Sequence, residues 1–449
     1  MVKSPIFLCL FLGVTSLTAS GKKPNFVIVL ADDVSWDAFG ATGSAHARTP
    51  HIDKLAKESL TMERFYCSVS QCAPVRAELY TGLLPRHNGI LGNSRIVKIP
   101  GVLNMGDHLR PLGYRVGLAG KVHFGLGSKP LDAISGFPSN CNGSEGKHSM
   151  DGVRTYIQKA QAAEAPFCVI IASIHSHHPW DLGGSSRFPL DKIQLPPHYL
   201  DTPKAREALA KHAAEVEEFD RQVGDTRALI EDLQLENETI LVVLSEQGTA
   251  MPRGKWTPYE YGSRALCVAH YPGKIRPRKT AALAMYCDIL PTFLDFADGK
   301  PAKPLDGTSL KPLWTGASDK HREAVHISNV HPFWQQAIVK DRYKLIWTGS
   351  PEEEHIASQF NAKQKFFSQP WKEWNRLAKR DAGAAAVVQR VLHPRRYELY
   401  DVQADPYELE NLADKVELKE VKTELLADLK QLMLTVGEPL EAVLPSPTP

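Results

Sequence analysis

Residues 71–82, QCAPVRAELYTG, place a cysteine, a proline and an arginine on alternate positions. Pro74 fits the first position of a helix, where a missing N–H costs nothing. Cys72 then falls just before the helix N-terminus, facing unpaired N–H groups and the positive end of the helix dipole. Such a place favours a bound anion, and Arg76 adds a planar fork of donors that can hold the residue or its adduct. Taken alone, the same stretch also suits a disulfide from Cys72 to Cys67, or a small core residue.

Other chemistry-bearing residues come in short groups. Asp32 and Asp33 are adjacent, so on a regular strand they would point to opposite faces. They reach one point only where the backbone is irregular, and two carboxylates on one point repel unless a cation sits between them. Oxygen donors of this kind favour a hard ion such as Ca²⁺ or Mg²⁺. The bland alternative is a helix cap plus an exposed aspartate. Glu246 and Gln247 weigh against it, since they follow a different apolar run. Lys121 and His123 form a third group, and His175-Ser176-His177-His178 a fourth. A zinc site in that histidine cluster is disfavoured, because the remaining groups are oxygen donors unlike zinc's usual nitrogen and sulfur set. Lys255 alone would be an ordinary exposed lysine, and His87 reads as structural.

The elements that would position these groups are legible. Phe26–Leu30, Arg115–Ala119, Phe167–Ile174 and Thr239–Leu244 are apolar, β-branched-rich runs that read as buried parallel strands. From Pro203 to Leu233, apolar residues recur at steps of three and four, as on an amphipathic helix. Strands alternating with helices imply an α/β sheet with helices on both faces. Ligands in such sheets bind beyond the carboxyl ends of the strands. Each of the four runs is followed at that end by one of the polar groups named above, which makes their convergence the strongest feature of the chain.

Past His331 the texture changes to short antiparallel strands, QQAIVKDRYKLIWTGS and RRYELYDVQADP, and an amphipathic helix from Leu418 to Leu434. The expected organisation is a signal segment over 1–20, a catalytic domain over 21–330 and a smaller C-terminal α+β subdomain over 331–449, with a long irregular insert from Ser350 to Ala384. Residues 1–20 have one lysine, an apolar run from Ile6 to Leu17 and small residues at Thr18, Ala19 and Ser20, the layout of a secretory signal. That run is shorter than the ~20 residues a membrane span needs. No later run is long enough either, so a soluble mature chain is expected.

The 449 residues are 43% hydrophobic and 23% charged, enough for a large core. A formal charge of +2 gives no reason to expect nucleic-acid binding, so any anionic substrate must be held by local charge. Cys9 leaves with the signal, Cys168 and Cys267 read as buried thiols, and no disulfide scaffold is expected. Asn142-Gly143-Ser144 and Asn237-Glu238-Thr239 match the N-glycosylation pattern.

CAPVRAELYTG has the form Cys-x-Pro-x-Arg followed by Leu-x-Thr-Gly and resembles the signature of the type I sulfatases. PNFVIVLADDVSWDAFGATG, LGYRVGLAGKVHFG, LVVLSEQGTAMPRGKWTPYEYGSRA and ELYDVQADPYELENLAD resemble further family segments in the same order. Within the family they look most like bacterial proteins related to heparan N-sulfatase (N-sulfoglucosamine sulfohydrolase). The resemblance implies an alkaline-phosphatase-like α/β fold and oxidation of Cys72 to Cα-formylglycine, whose hydrate is the nucleophile. It further implies one Ca²⁺ held by Asp32, Asp33, Glu246, Gln247 and the side chain made from Cys72. By the same resemblance Arg76, Lys121 and His123 steady the hydrate, with His123 a candidate base. His178 protonates the leaving group, and Lys255 holds sulfate oxygens. His175 and His178 match the family's His-x-x-His, and His177 takes the donor role if the loop is shifted by one. Glu246 stands where the family usually has aspartate, and Gln247 where asparagine or histidine is common.

The activity so implied is that of a sulfuric ester hydrolase or sulfamidase acting on sulfated saccharide, with glucosamine N-sulfate leading. Its partner would be a formylglycine-generating enzyme or an anaerobic sulfatase-maturating enzyme, and its location secreted, periplasmic or, in a eukaryote, lysosomal. A phosphoesterase or phosphonate hydrolase on the same scaffold and a non-catalytic glycan-binding relative are the competing readings.

Overall fold

A computed structural model describes residues 22–124, 130–139, 148–181, 185–330, 333–355 and 368–440. The expected signal segment, Cys9, Cys141 and the Asn142 glycosylation pattern lie outside the described residues.

At the centre of the fold is a nine-stranded sheet of the described residues. From one edge its order is Arg278–Thr280, Leu60–Tyr66, Arg264–His270, Thr239–Leu244, Asn25–Leu30, Phe167–Ala172, Arg115–Gly120 and Asp132–Ile134, with Ala284–Met285 also pairing to Leu60–Tyr66. The four strands expected from the sequence lie side by side and parallel. Arg264–His270 runs antiparallel to both its neighbours, so the sheet is mixed but mostly parallel. Every residue of Asn25–Leu30, Phe167–Ala172 and Thr239–Leu244 is buried, as strands covered on both faces must be. Phe26, Ile28 and Leu30 face one apolar layer, and Val27 and Val29 the other, so the two layers of the core share one sheet.

Register decides where the polar residues arrive. Leu30 pairs with Ala172 and with Leu244, and Gly120 pairs with Ala172, so the four strands end at one level. Beyond the last pairs the backbone stays bonded: Asp32 N donates to His175 O at 2.8 Å, and Ser176 N to Asp32 O at 2.7 Å.

The helix Pro203–Asp232 matches the expected one to within a residue, with Thr202 capping it. A second, four-stranded antiparallel sheet of Ala324–Asn329, Gln335–Lys340, Tyr343–Thr348 and Tyr397–Asp401 carries the helix Lys419–Thr435 on one face. Its first strand begins ahead of residue 331.

Two local expectations need correction. Helix Cys72–Thr81 has Gln71 as its cap, so Cys72 is the first helical residue and Pro74 the third. Pro74 tolerates this because the first helical N–H groups have no intrahelical partner in any case. The 350–384 insert is also more regular than expected: Ser368–Ala378 and Ala382–Leu392 are helices. Trp371, Trp374, Val388 and Leu392 bury their side chains with Trp180, Tyr199 and Tyr261, and that shared apolar cluster makes the segment fold. Residues 356–367 of the insert lie outside the described residues.

No helix among the described residues is long and apolar enough to cross a membrane. Cys67, Cys72, Cys168, Cys267 and Cys287 are all free and buried, which removes the Cys67–Cys72 disulfide and agrees with the buried thiols expected at 168 and 267.

Candidate active site

Asp32 and Asp33 leave the strand Asn25–Leu30 through an irregular turn, as adjacent carboxylates aimed at one point require. Asp33 holds φ 59°, and His212 Nε2, from the long helix, lies 3.1 Å from its carbonyl oxygen. Glu246 likewise takes φ 71° straight after its strand, and Tyr286 donates its hydroxyl to the Glu246 carbonyl at 2.6 Å. Gly248 follows because only a residue without a side chain fits there: a Cβ would stand 1.8 Å from Tyr261 O. The loops are thus bent against their preference and held by long-range bonds.

These bends bring ligating atoms of Asp32, Asp33, Cys72 and Glu246 within 4.8 Å of one another, all four residues buried. Cys72 Sγ is 3.6 Å from one oxygen of each aspartate. Gln247 completes the group, with its Nε2 donating to Asp33 and its Oε1 buried without a hydrogen-bond partner.

Three cations face the three carboxylates. Lys255 Nζ lies 2.6 and 2.8 Å from the two Asp33 oxygens and 2.8 Å from Cys72 Sγ. Lys121 donates to Asp32, and Arg76 Nε lies 2.6 Å from Glu246 Oε1. A further Arg76 nitrogen donates to Lys121 O at 2.8 Å, joining the Cys72 helix to the Arg115–Gly120 strand end.

Electrostatics follow from burial and from these contacts. Burial raises a carboxylate's pKa, but Lys121, His177 and Arg76 together hold Asp32 well below its usual value. Against the same burial, Lys255 and His177 lower Asp33. Glu246 goes the other way, because burial and the Asp32 charge outweigh Arg76 and Lys121. For Cys72, burial pushes the thiol up despite Lys121 and Lys255, so a thiolate nucleophile is disfavoured.

The donor set fits a hard dication. It offers carboxylate oxygens and an amide oxygen, Gln247 Oε1 is buried without a hydrogen-bond partner, and one carboxylate is pushed toward holding a proton that a cation could replace. Asp32, Asp33, Glu246, Gln247 and the residue-72 side chain would hold it.

The histidines divide. His177 Nε2 lies 3.8 Å from an Asp33 oxygen, and its Nδ1 is 2.7 Å from His178 O. The His178 ring stacks on that of His177, with centroids 4.7 Å apart. Burial, together with the field of the neighbouring cations, pushes both His178 and His123 down to about 4, so both are neutral near pH 7. His175 Nδ1 pairs with Glu215 Oε2 at 2.7 Å instead. His87 is set against Asp306 at 2.8 Å, consistent with a structural residue. Lys255 is buried rather than exposed.

Sequence reasoning missed His212 and Glu215, which brace Asp33 and His175 from the long helix. Their only signal is position: polar residues 212 and 215 on the same buried stripe as Leu209 and Val216.

Residues 24–299 match the family model described as Sulfatase. An ulvan-active sulfatase of Formosa agariphila is 28% identical over 94% of this chain and 82% of its own length. Human N-sulphoglucosamine sulphohydrolase is 26% identical over 87% and 86%. A solved structure of a protein in complex with its substrate D-glucosamine-2-N,6-O-disulfate superposes with TM-score 0.71 at 18% identity, over 95% of this chain and 100% of that one.

Proposed function

The chain belongs to the sulfatase family, and on that premise we propose that it is an exported hydrolase of sulfate esters or sulfamates on saccharides, glucosamine N-sulfate first among them. It acts through Cα-formylglycine made from Cys72, with one Ca²⁺. The observation that carries this reading is the meeting of Cys72 Sγ with Asp32, Asp33, Glu246 and Lys255, delivered by separate sheet ends and a helix. The apolar leader at 1–20 supports export, to a periplasm, the exterior or a lysosome. The domains are read as 21–330 for catalysis and 331–449 for the C-terminal subdomain.

Sulfate monoesters resist hydrolysis because anionic oxygens repel the nucleophile and the leaving group departs badly. Ca²⁺, when bound, supplies positive charge against the SO₃ oxygens. A formylglycine at position 72 would supply, as its hydrate, one hydroxyl as the nucleophile toward sulfur and a second whose proton, once removed, would let sulfate leave and the aldehyde return, a route closed to unmodified cysteine. Lys255, beside position 72, holds sulfate oxygens as negative charge builds, and Arg76 and Lys121 steady the hydrate. His123, neutral near pH 7, is free to take the second hydroxyl's proton. His178 gives a proton to the departing oxygen or nitrogen. Its ring is loaded when an anionic substrate lies against it, since negative charge raises an imidazole's pKa. His177, whose Nε2 faces Asp33, is the alternative donor.

Cys72 is wholly buried. A formylglycine-generating enzyme, or an anaerobic maturating enzyme, must therefore meet it before the chain has folded.

Mass spectrometry of the peptide carrying residue 72, from protein co-expressed with a maturating system, should find the aldehyde. Cys72→Ala should abolish sulfate release and leave the melting temperature little changed. A thiol in active enzyme, or turnover by the alanine variant, would refute the assignment. Phosphate-ester hydrolysis by unmodified protein would favour a phosphoesterase.

A further inference from the structure

Trp256 follows Lys255 directly and holds φ 72°, a left-handed conformation that bulky aromatic residues rarely adopt. Outliers of this kind persist where the surroundings enforce them, and they gather at functional sites. Here the Trp256 amide donates to Ser70 O at 2.9 Å, two residues before Cys72. The strained turn is thereby tied to the segment that leads into the Cys72 helix.

The strain has a geometric result. The half-buried indole presents its face to the Lys255 ammonium, with Nζ 5.1 Å from the ring centroid. That Nζ is itself 2.8 Å from Cys72 Sγ. An aromatic face thus stands one side-chain width from the reacting position, and a group held by Lys255 would bring whatever it is attached to against the indole.

We propose that Trp256 is a specificity-determining residue, the platform on which the pyranose bearing the reactive sulfate stacks. This rests on the sulfatase reading and extends it to the leaving group. The ligand class it selects is a ring whose C–H face is apolar and whose edge carries hydroxyls. Nothing in the reaction at sulfur requires this ring, so its contribution lies in holding the sugar.

The test compares substrate with product. The probe is the fragment that the wild-type enzyme hydrolyses fastest in a panel of N- and O-sulfated mono- and disaccharides. Trp256→Ala should raise KM for that fragment about tenfold, the loss expected for one aromatic contact. The inhibition constant of inorganic sulfate, which has no ring to stack, should stay within about twofold, because such a change is well under 1 kcal/mol. Trp256→Phe, which keeps a face, should recover most of the KM. Equal weakening of both ligands would mean that the substitution disturbs Lys255 and would overturn the proposal, as would an unchanged KM in Trp256→Ala protein that melts like the wild type. Failure of the wild-type enzyme on the whole panel would instead overturn the sulfatase reading beneath it.

Discussion

Lys255 Nζ stands between Cys72 Sγ, 2.8 Å away, and the Asp33 carboxylate, 2.6 Å away, with all three groups buried. One ammonium therefore touches both Cys72 and a carboxylate of the candidate cation site. Replacing it by Lys255→Met should lower kcat/KM on the order of 10²–10³-fold, the cost of losing one fixed donor to developing negative charge. The metal-free variant should also lose about 3–5 kcal/mol of stability, since it leaves Asp33 buried without its cation. Sulfate-release kinetics and urea titration check this. Activity near the wild-type level would count against the role.

Ca²⁺ should raise the melting temperature of the metal-free protein. At a hundredfold excess over its dissociation constant the gain is about 2.7 kcal/mol. Glu246→Ala and Asp32→Asn should each cut that shift strongly, and EGTA should reverse it in the parent. Isothermal titration gives the affinity directly. A variant lacking both carboxylates that still gains the full shift would place the ion elsewhere.

Gly248 carries the turn after Glu246 and Gln247, and a Cβ there would stand 1.8 Å from Tyr261 O. Gly248→Ala must displace that loop, at a cost of about 1–3 kcal/mol. Ca²⁺ affinity should fall with it, although residue 248 supplies no ligand of its own. Calorimetric binding at wild-type strength would mean that the loop relaxes without moving its donors.

Glu78 gives a pH signature away from the reacting atoms. It lies on the Cys72 helix, accepts hydrogen bonds from Ser68 N and Oγ and from Cys287 N, and burial raises its pKa to about 7 from the ordinary 4.5. With the folded value above the unfolded one, the native state binds more protons between those values, so stability falls as pH rises through that window and levels off above it. The span corresponds to roughly 3 kcal/mol. Glu78→Gln should remove that share of the slope. Urea titrations from pH 4.5 to 7.5 should show the parent losing stability relative to the variant as pH rises, and a difference that stays constant would exclude Glu78 as its source.

How much of this was legible in one dimension varied by element. The four parallel strands announced themselves as β-branched runs because burial on both faces leaves no room for polar residues, and the groups at their carboxyl ends could be named at once. Leu60–Tyr66 escaped notice because glutamate and arginine interrupt its apolar pattern, and Arg264–His270 because its apolar run is only five residues long between polar ends. The helices after residue 368 were missed because their tryptophans pay off only against Trp180 and Tyr199, far away in the chain.

For the site, residue types alone determined its chemistry: carboxylates in excess at strand ends, a cysteine at a helix start, lysines to balance them. Proximity along the chain could not say which lysine faces which acid, that His175 turns to Glu215 while His177 turns to Asp33, or that Trp256 looks across Lys255. Those pairings depend on strand register and on left-handed residues at 33, 246 and 256, whose conformations are enforced by bonds to distant segments. Local sequence fixes what a side chain can do, whereas direction is set by contacts that exist only once the sheet has closed.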